Sequence, residues 1–185
     1  MNERNSNIIR TDRLILRPWN NEDFEPFAKL NADPRVREFF PHILTKEESD
    51  EQAAWISGNI EKNGWGFWAV SVIGRDDFIG FIGLSQLDVI AAVEVAWRLD
   101  YDHWGKGYAT EGARAALRYG FEVLGLDEIV SCTADINERS RRVMRKLGMH
   151  RDPQEDFVMP KLEEGHPLMR HVLYRLRKDE WERIK

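Results

Sequence analysis

Residues 93–124 constrain the fold more than any other part of the chain. Val93, Val95, Trp97 and Leu99 alternate with Glu94, Ala96 and Arg98, the period of a strand with two different faces. Gly105-Lys106-Gly107 then breaks the alternation. From about Thr110 to Leu124, the residues Ala113, Ala116, Leu117, Phe121 and Leu124 recur at helical spacing. A strand that feeds through such a turn into a helix leaves the first helical N–H groups without internal partners, at the positive end of the dipole. Two absent side chains let a bulky ligand approach the backbone, and Lys106 adds a mobile positive charge. Such a turn either binds phosphate or pyrophosphate or is only a turn. It is not a P-loop, because Gly107 follows Lys106 where Ser or Thr is required. Nor is it a dinucleotide fingerprint, because position 110 is Thr.

Upstream, residues 14–19 read as a first strand, and residues 21–31 carry Phe24, Phe27, Ala28 and Leu30 at helical spacing. Thr45 and Glu48 have capping-box spacing, which predicts a helix with Ala53, Trp55, Ile56 and Ile60 on its apolar side and Gly64 at its end. Residues 66–73 and 78–87 form a predicted hairpin around the polar turn Gly74-Arg75-Asp76-Asp77. Residues 128–134 are strand-like, Asn137 is an N-cap for a helix running to Leu147, and Gly148 stops it. A strand over residues 168–176 closes the order. No repeat, low-complexity tract or Pro/Ser-rich linker divides the sequence, so residues 1–185 are expected to form one domain. Hairpins first and strand–helix–strand units later predict a mixed α/β sheet rather than a doubly wound one.

Composition narrows the function classes. A net charge of −5 argues against nucleic acid as a partner, since phosphate neutralisation needs a basic surface. The longest apolar runs, such as residues 78–84, contain Gly and are too short for a bilayer, so no membrane partner is expected. Residues 1–10 are polar and lack a signal core. Cys132 is the single cysteine, which excludes an internal disulfide and makes a cytoplasmic setting the expectation. His42, His103, His150, His166 and His171 show no metal-ligand spacing, so no metal is expected. Arg139, Arg141, Arg142, Arg145 and Lys146 form a basic run, which is either a solvated helical face or an anion contact. Trp65, Phe67, Trp68 and Cys132 read as core.

Four segments together carry a family resemblance. Trp104-Gly105-Lys106-Gly107-Tyr108-Ala109-Thr110-Glu111 resembles the acyl-CoA-binding loop of the GNAT superfamily, in the form of its ribosomal-protein N-terminal acetyltransferase relatives. Trp104 stands where the wider family has Gln or Arg, as it often does in that subgroup. Asn137-Glu138-Arg139-Ser140 with Lys146-Leu147-Gly148-Met149 resembles the family's Asn-x-x-Ser helix start and Lys-Leu-Gly-Phe ending. Glu94-Val95-Ala96-Trp97 is similar to its Glu-x-Gly-Tyr strand. Gly165-His166-Pro167-Leu168, Val172-Leu173-Tyr174 and Trp181 are similar to the subgroup's C-terminal strands. The matches run in family order over nearly the whole chain.

The resemblance implies a mostly antiparallel mixed sheet of about six to seven strands, splayed between the fourth and fifth and flanked by about four helices. It implies acetyl-CoA as cosubstrate, with pyrophosphate on backbone N–H groups of Gly105, Lys106, Gly107, Tyr108, Ala109 and Thr110. The pantetheine would pair with the backbone of Trp97, Arg98 and Leu99, and Trp104, Asn137 and Ser140 would lie beside it. Ser140 is then the candidate proton donor to the departing thiolate, and Glu94 the candidate base, directly or through water. Each has another reading from the residues alone. Glu94 faces solvent on simple alternation, Asn137 serves only as an N-cap, and Ser140 satisfies a local backbone group.

The implied activity is transfer of acetyl to a primary amine by direct attack in a ternary complex. The acceptor is a peptide N-terminal α-amine or a small amine such as an antibiotic, with its contacts near residues 39–43 and on the C-terminal strands. A non-catalytic acetyl-CoA sensor shares the same loop, and relatives are monomers or homodimers.

Overall fold

A computed structural model describes residues 8–75, 77–160, 162 and 165–185. The N-terminal stretch before residue 8, and Asp76 of the expected turn, lie outside the described residues.

Two short strands, β1 (Ile9–Arg10) and β2 (Leu14–Arg17), lead into α1 (Phe24–Ala32). The entry to α1 is fixed twice. Asn20 and Asp23 form a capping box, and the same Asp23 carboxylate receives Arg17 at 2.7 Å. α2 (Lys46–Asn63) begins at the expected box, with Thr45 Oγ1 accepting from the Glu48 N–H at 3.2 Å and Glu48 Oε2 accepting from the Thr45 N–H at 2.8 Å. It ends at Gly64.

β3 (Phe67–Val72), β4 (Phe78–Leu87) and β5 (Ala92–Leu99) then form an antiparallel meander. α3 (Tyr108–Arg118) runs on through a π turn, Tyr119–Val123, to β6 (Glu128–Ala134). α4 (Glu138–Lys146), the two-residue strands β7 (His150–Arg151) and β8 (Phe157–Val158), β9 (Arg170–Arg177) and α5 (Lys178–Ile184) complete the described chain.

Among the described residues, nine strands form one sheet in the order β1-β2-β3-β4-β5-β6-β9-β7, with β8 also on β9. Every pairing is antiparallel except β5 with β6. The mixed, mostly antiparallel sheet is therefore as expected, with more strands and one more helix. The additional strands β1, β7 and β8 are two residues each, too short for alternation to register. α5 is seven residues long, and Trp181 anchors it by stacking on Phe121 at 5.7 Å.

The core lies on both faces of the sheet. Ala113, Ala116 and Leu117 of α3 are buried on one side. On the other, Trp19, Phe27, Phe78 and Phe81 pack edge-to-face or tilted, with centroids 5.0 to 6.1 Å apart. No helix among the described residues is long and apolar enough to cross a membrane.

Candidate active site

β5 pairs with β4 along its whole length, Gly80↔Leu99 through Leu87↔Ala92, but meets β6 at one position, Glu94↔Val130. β6 meanwhile pairs fully with β9. Beyond Glu94 the two parallel strands diverge, so the backbone of Trp97 to Leu99 has a strand partner on its β4 side only. Such an edge offers N–H and C=O groups to an extended ligand. A cavity of about 1280 Å3 occupies the opening. It reaches from the 105–110 turn, past Glu94, Ser131 and Cys132, to Phe39 and Phe40 between α1 and α2.

The turn has the geometry that its glycines suggest. Gly105 and Gly107 have φ of 74° and 82°, where a side chain costs about 1 to 2 kcal/mol. Gly107 is the residue before the first turn of α3, so the N–H groups that follow it point out of the helix end towards the cavity. The turn is held from beneath. Arg13 Nη1 donates to the Lys106 carbonyl at 2.9 Å, and the Arg13 guanidinium pairs with Glu111 at 2.6 Å. Glu111 also accepts from the Thr11 hydroxyl at 2.6 Å and the Arg13 N–H at 2.8 Å. Although its partial burial opposes the effect, these hydrogen bonds and the Arg13 charge hold its carboxyl below the ordinary range. Lys106 itself is exposed. Trp104 Nε1 donates to the Leu99 carbonyl at 2.8 Å, which pins the start of the turn to the end of β5.

Asn137 caps α4, accepting from the Ser140 N–H at 3.2 Å and donating to Thr133 Oγ1 at 2.9 Å. The cap orients the first turn of α4 so that Ser140 lines the cavity, together with Arg139, Arg142 and Lys146. Its hydroxyl has no protein partner among the described residues. Glu94 lies on the same cavity wall. Burial pushes its carboxyl up from 4.5 to about 7. The polar face of β5 is therefore a cavity wall: Glu94, Ala96 and Arg98 line the space, whereas Val95 is buried in the core.

Residues 13–150 match the acetyltransferase (GNAT) domain family. The chain belongs to the GNAT acetyltransferase family. The FsC-acetyl coenzyme A-N(2)-transacetylase of Aspergillus fumigatus is 32% identical to this GNAT chain, over 96% of the chain and 79% of the relative. An acetyltransferase of the same family from Bacillus anthracis has a solved structure with a TM-score of 0.78 at 26% identity, covering 94% of this chain and 99% of that one. The ribosomal L7/L12 alpha-N-protein acetyltransferase RimL, solved with coenzyme A, shares the fold at a TM-score of 0.76 and 13% identity, with 94% and 99% coverage.

Within this GNAT domain, some residues lie elsewhere than their pattern implied. Phe67 and Cys132, read as core, line the cavity, whereas Trp68 is fully buried. Burial, with the charge of Glu94 nearby, pushes the Cys132 thiol up to about 12. The α4 arginines are less free than a solvated face suggests. Arg139 pairs with Glu38 at 2.8 Å, Arg141 with Asp135 at 3.2 Å, and Arg142 and Arg145 with Glu138. His103 lines the cavity and contacts Asp100 at 3.1 Å, an acid neighbour that the sequence did not reveal. The sequence likewise does not reveal where the Arg98 side chain goes. It crosses under α1 and α2, where Nη1 donates to Asn31 Oδ1 at 2.8 Å and Gln52 Oε1 at 3.0 Å. Its partners lie 67 and 46 positions away, beyond the reach of any local pattern.

Proposed function

We propose that this enzyme transfers acetyl from acetyl-CoA directly to a primary amine bound beside it. The observation that carries this reading is the one-rung junction of β5 and β6, because it opens a continuous space from a phosphate-binding turn to an ionisable carboxyl.

The residues fit the cosubstrate along that space. Backbone N–H groups of Gly105 to Thr110 receive the pyrophosphate, with the helix dipole behind them. The free edge at Trp97, Arg98 and Leu99 pairs with the amide-bearing pantetheine arm, and Trp104 and Asn137 hold the two sides of the opening. Lys146, which has no carboxylate partner among the described residues, and Arg142 receive the 3′-phosphate. An N–H on the free edge of β5 polarises the thioester carbonyl.

Glu94 takes a proton from the incoming ammonium, directly or through water, so that the amine lone pair is available. A carboxyl raised to about 7 is suited to accepting a proton near neutral pH. The nitrogen–carbon bond forms as the carbon–sulfur bond breaks; the second proton leaves the acylated nitrogen through water for the departing thiolate, which becomes the free CoA thiol, and Ser140 donates a hydrogen bond to that sulfur. Holding the two reactants together supplies several kcal/mol of the acceleration, on the order of 7 or more in favourable cases.

The acceptor enters between the α1–α2 loop and β9, where Phe39, Phe40, His42, Leu168 and His171 line the cavity. An N-terminal α-amine of a peptide is the acceptor that the ribosomal-type loop favours. Initial rates with both substrates varied test the mechanism. Intersecting double-reciprocal lines fit the ternary complex, and parallel lines would contradict it.

A further inference from the structure

The acceptor end of the cavity is lined by one cationic side chain that the proposed reaction does not use, Arg98, and a second, Arg37, lies buried behind it. Arg37 and Arg98 both lie over one ring, with guanidinium carbons 4.3 and 4.4 Å from the Phe40 centroid. Neither forms a direct ion pair with a carboxylate among the described residues; Glu48 is close enough to act on Arg37, and Arg98 has no such neighbour. Arg37 is 7% exposed, and its Nε donates to the His42 carbonyl at 2.9 Å. Arg98 lines the cavity, its Nη1 held by two neutral amide oxygens, and its Nε is buried without any acceptor. The contrast with Arg139 and Arg142 is direct, since each of those has a glutamate. A buried guanidinium without a counter-charge is destabilising unless a ligand supplies one. Burial, and secondarily the charge of Arg37, already pushes Arg98 down to about 9.

The remaining walls say what surrounds that charge. Phe67, Phe81, Trp55 and Ile56 make them apolar and aromatic. Among the described lining residues Glu94 is the one carboxylate, against the cations of Arg98, Arg139, Arg142 and Lys146. Among the described lining residues, a polycationic acceptor finds Glu94 alone to pair with.

We infer that the acceptor is an amine with a largely apolar body and a carboxylate, and that Arg98, backed by Arg37, is the residue that selects the carboxylate. This rests on the acetyltransferase reading and specifies its acceptor. The carboxylate belongs either to a free amino acid or to an acidic side chain near a peptide N-terminus. The chemistry at Arg98 is the same in both.

The test compares acceptors that differ only in carboxylate against carboxamide, each rate corrected for its fraction of neutral amine. One arm uses phenylalanine and phenylalaninamide; the other uses peptides with Asp or Asn at the second position. The expected result is a roughly 10- to 100-fold lower KM for the acid in one arm, the strength of hydrogen bonds to a charged group. That arm identifies the source. Arg98→Gln brings the ratio close to one, and Arg98→Lys restores part of it, which a merely structural role for Arg98 does not produce. Equal KM values in both arms for the wild-type enzyme overturn the inference without reference to any variant. So does an acid preference that survives Arg98→Gln. If CoA binds and no amine turns over, the acetyltransferase reading fails. Titration of N-acetylphenylalanine and its amide into the CoA-bound protein then decides the anion site: tighter binding of the acid supports it, and equal binding overturns it.

Discussion

Glu94 and Val130 form the one rung between β5 and β6, and the strands separate beyond it. An ionisable carboxyl thus stands at the apex of the opening, with the free backbone edge of β5 along one arm and the cap of α4 at the end of the other. The proposed chemistry depends on that juxtaposition, and each part can be tested separately.

As the proposed base, Glu94 should set the pH dependence. The carboxylate is the active form, so kcat/KM for an acceptor whose amine is still protonated near neutral pH rises through about pH 7 and levels until that amine itself titrates. Glu94→Gln removes that limb and lowers the rate by about 100-fold or more. An unchanged profile in the variant contradicts the assignment.

The same carboxyl affects stability. Burial raises it in the folded chain, so between pH 4.5 and about 7 the native state holds a proton that the unfolded chain has lost. Native stability falls with rising pH across that window, and Glu94→Gln, which has no charge to bury, lessens the fall. Urea midpoints at several pH values measure the difference.

Ser140→Ala lowers kcat by about 10- to 100-fold, the loss of one hydrogen bond to a developing charge, while KM for acetyl-CoA changes little. Retention of wild-type kcat removes Ser140 from the chemistry.

The cosubstrate contacts separate into backbone and charge. Gly107→Val forces a β-branched residue to a φ of 82° and sets its Cβ 3.3 Å from Arg13 Nη2. Calorimetry should show CoA affinity falling by about 10-fold or more. Lys146→Ala should weaken CoA while leaving 3′-dephospho-CoA unaffected; equal weakening of both assigns the lysine elsewhere.

Thr45→Ala removes the capping box of α2, the helix that carries Gln52, Trp55 and Ile56 to the cavity. It should lower stability by about 1 kcal/mol, read from the denaturant midpoint.

The parts of this molecule legible in its sequence are those whose physics is local. The Thr45–Glu48 box, the stop at Gly64, the Asn137 cap and the strand–turn–helix around Gly105 and Gly107 each depend on residues within a few positions. The cavity does not. Alternation along β5 left Glu94 facing either solvent or a ligand, because a cavity wall and a solvent face present the same period. Cys132 and Phe67 read as core for the converse reason, since apolar residues also line pockets. The Arg98 contacts to Asn31 and Gln52 depend on how α1 and α2 fold across the sheet, and no spacing along the chain encodes them.

The central claim is that an amine and acetyl-CoA react directly in the opening between β5 and β6. Its most direct test follows free CoA from acetyl-CoA with a thiol reagent, across peptides with varied first residues, amino acids, polyamines and aminoglycosides. The account predicts release that depends on the amine and matches the acetylated product mole for mole, strongest with carboxylate-bearing acceptors. Release no faster than hydrolysis across the panel, with CoA binding established separately, would contradict it.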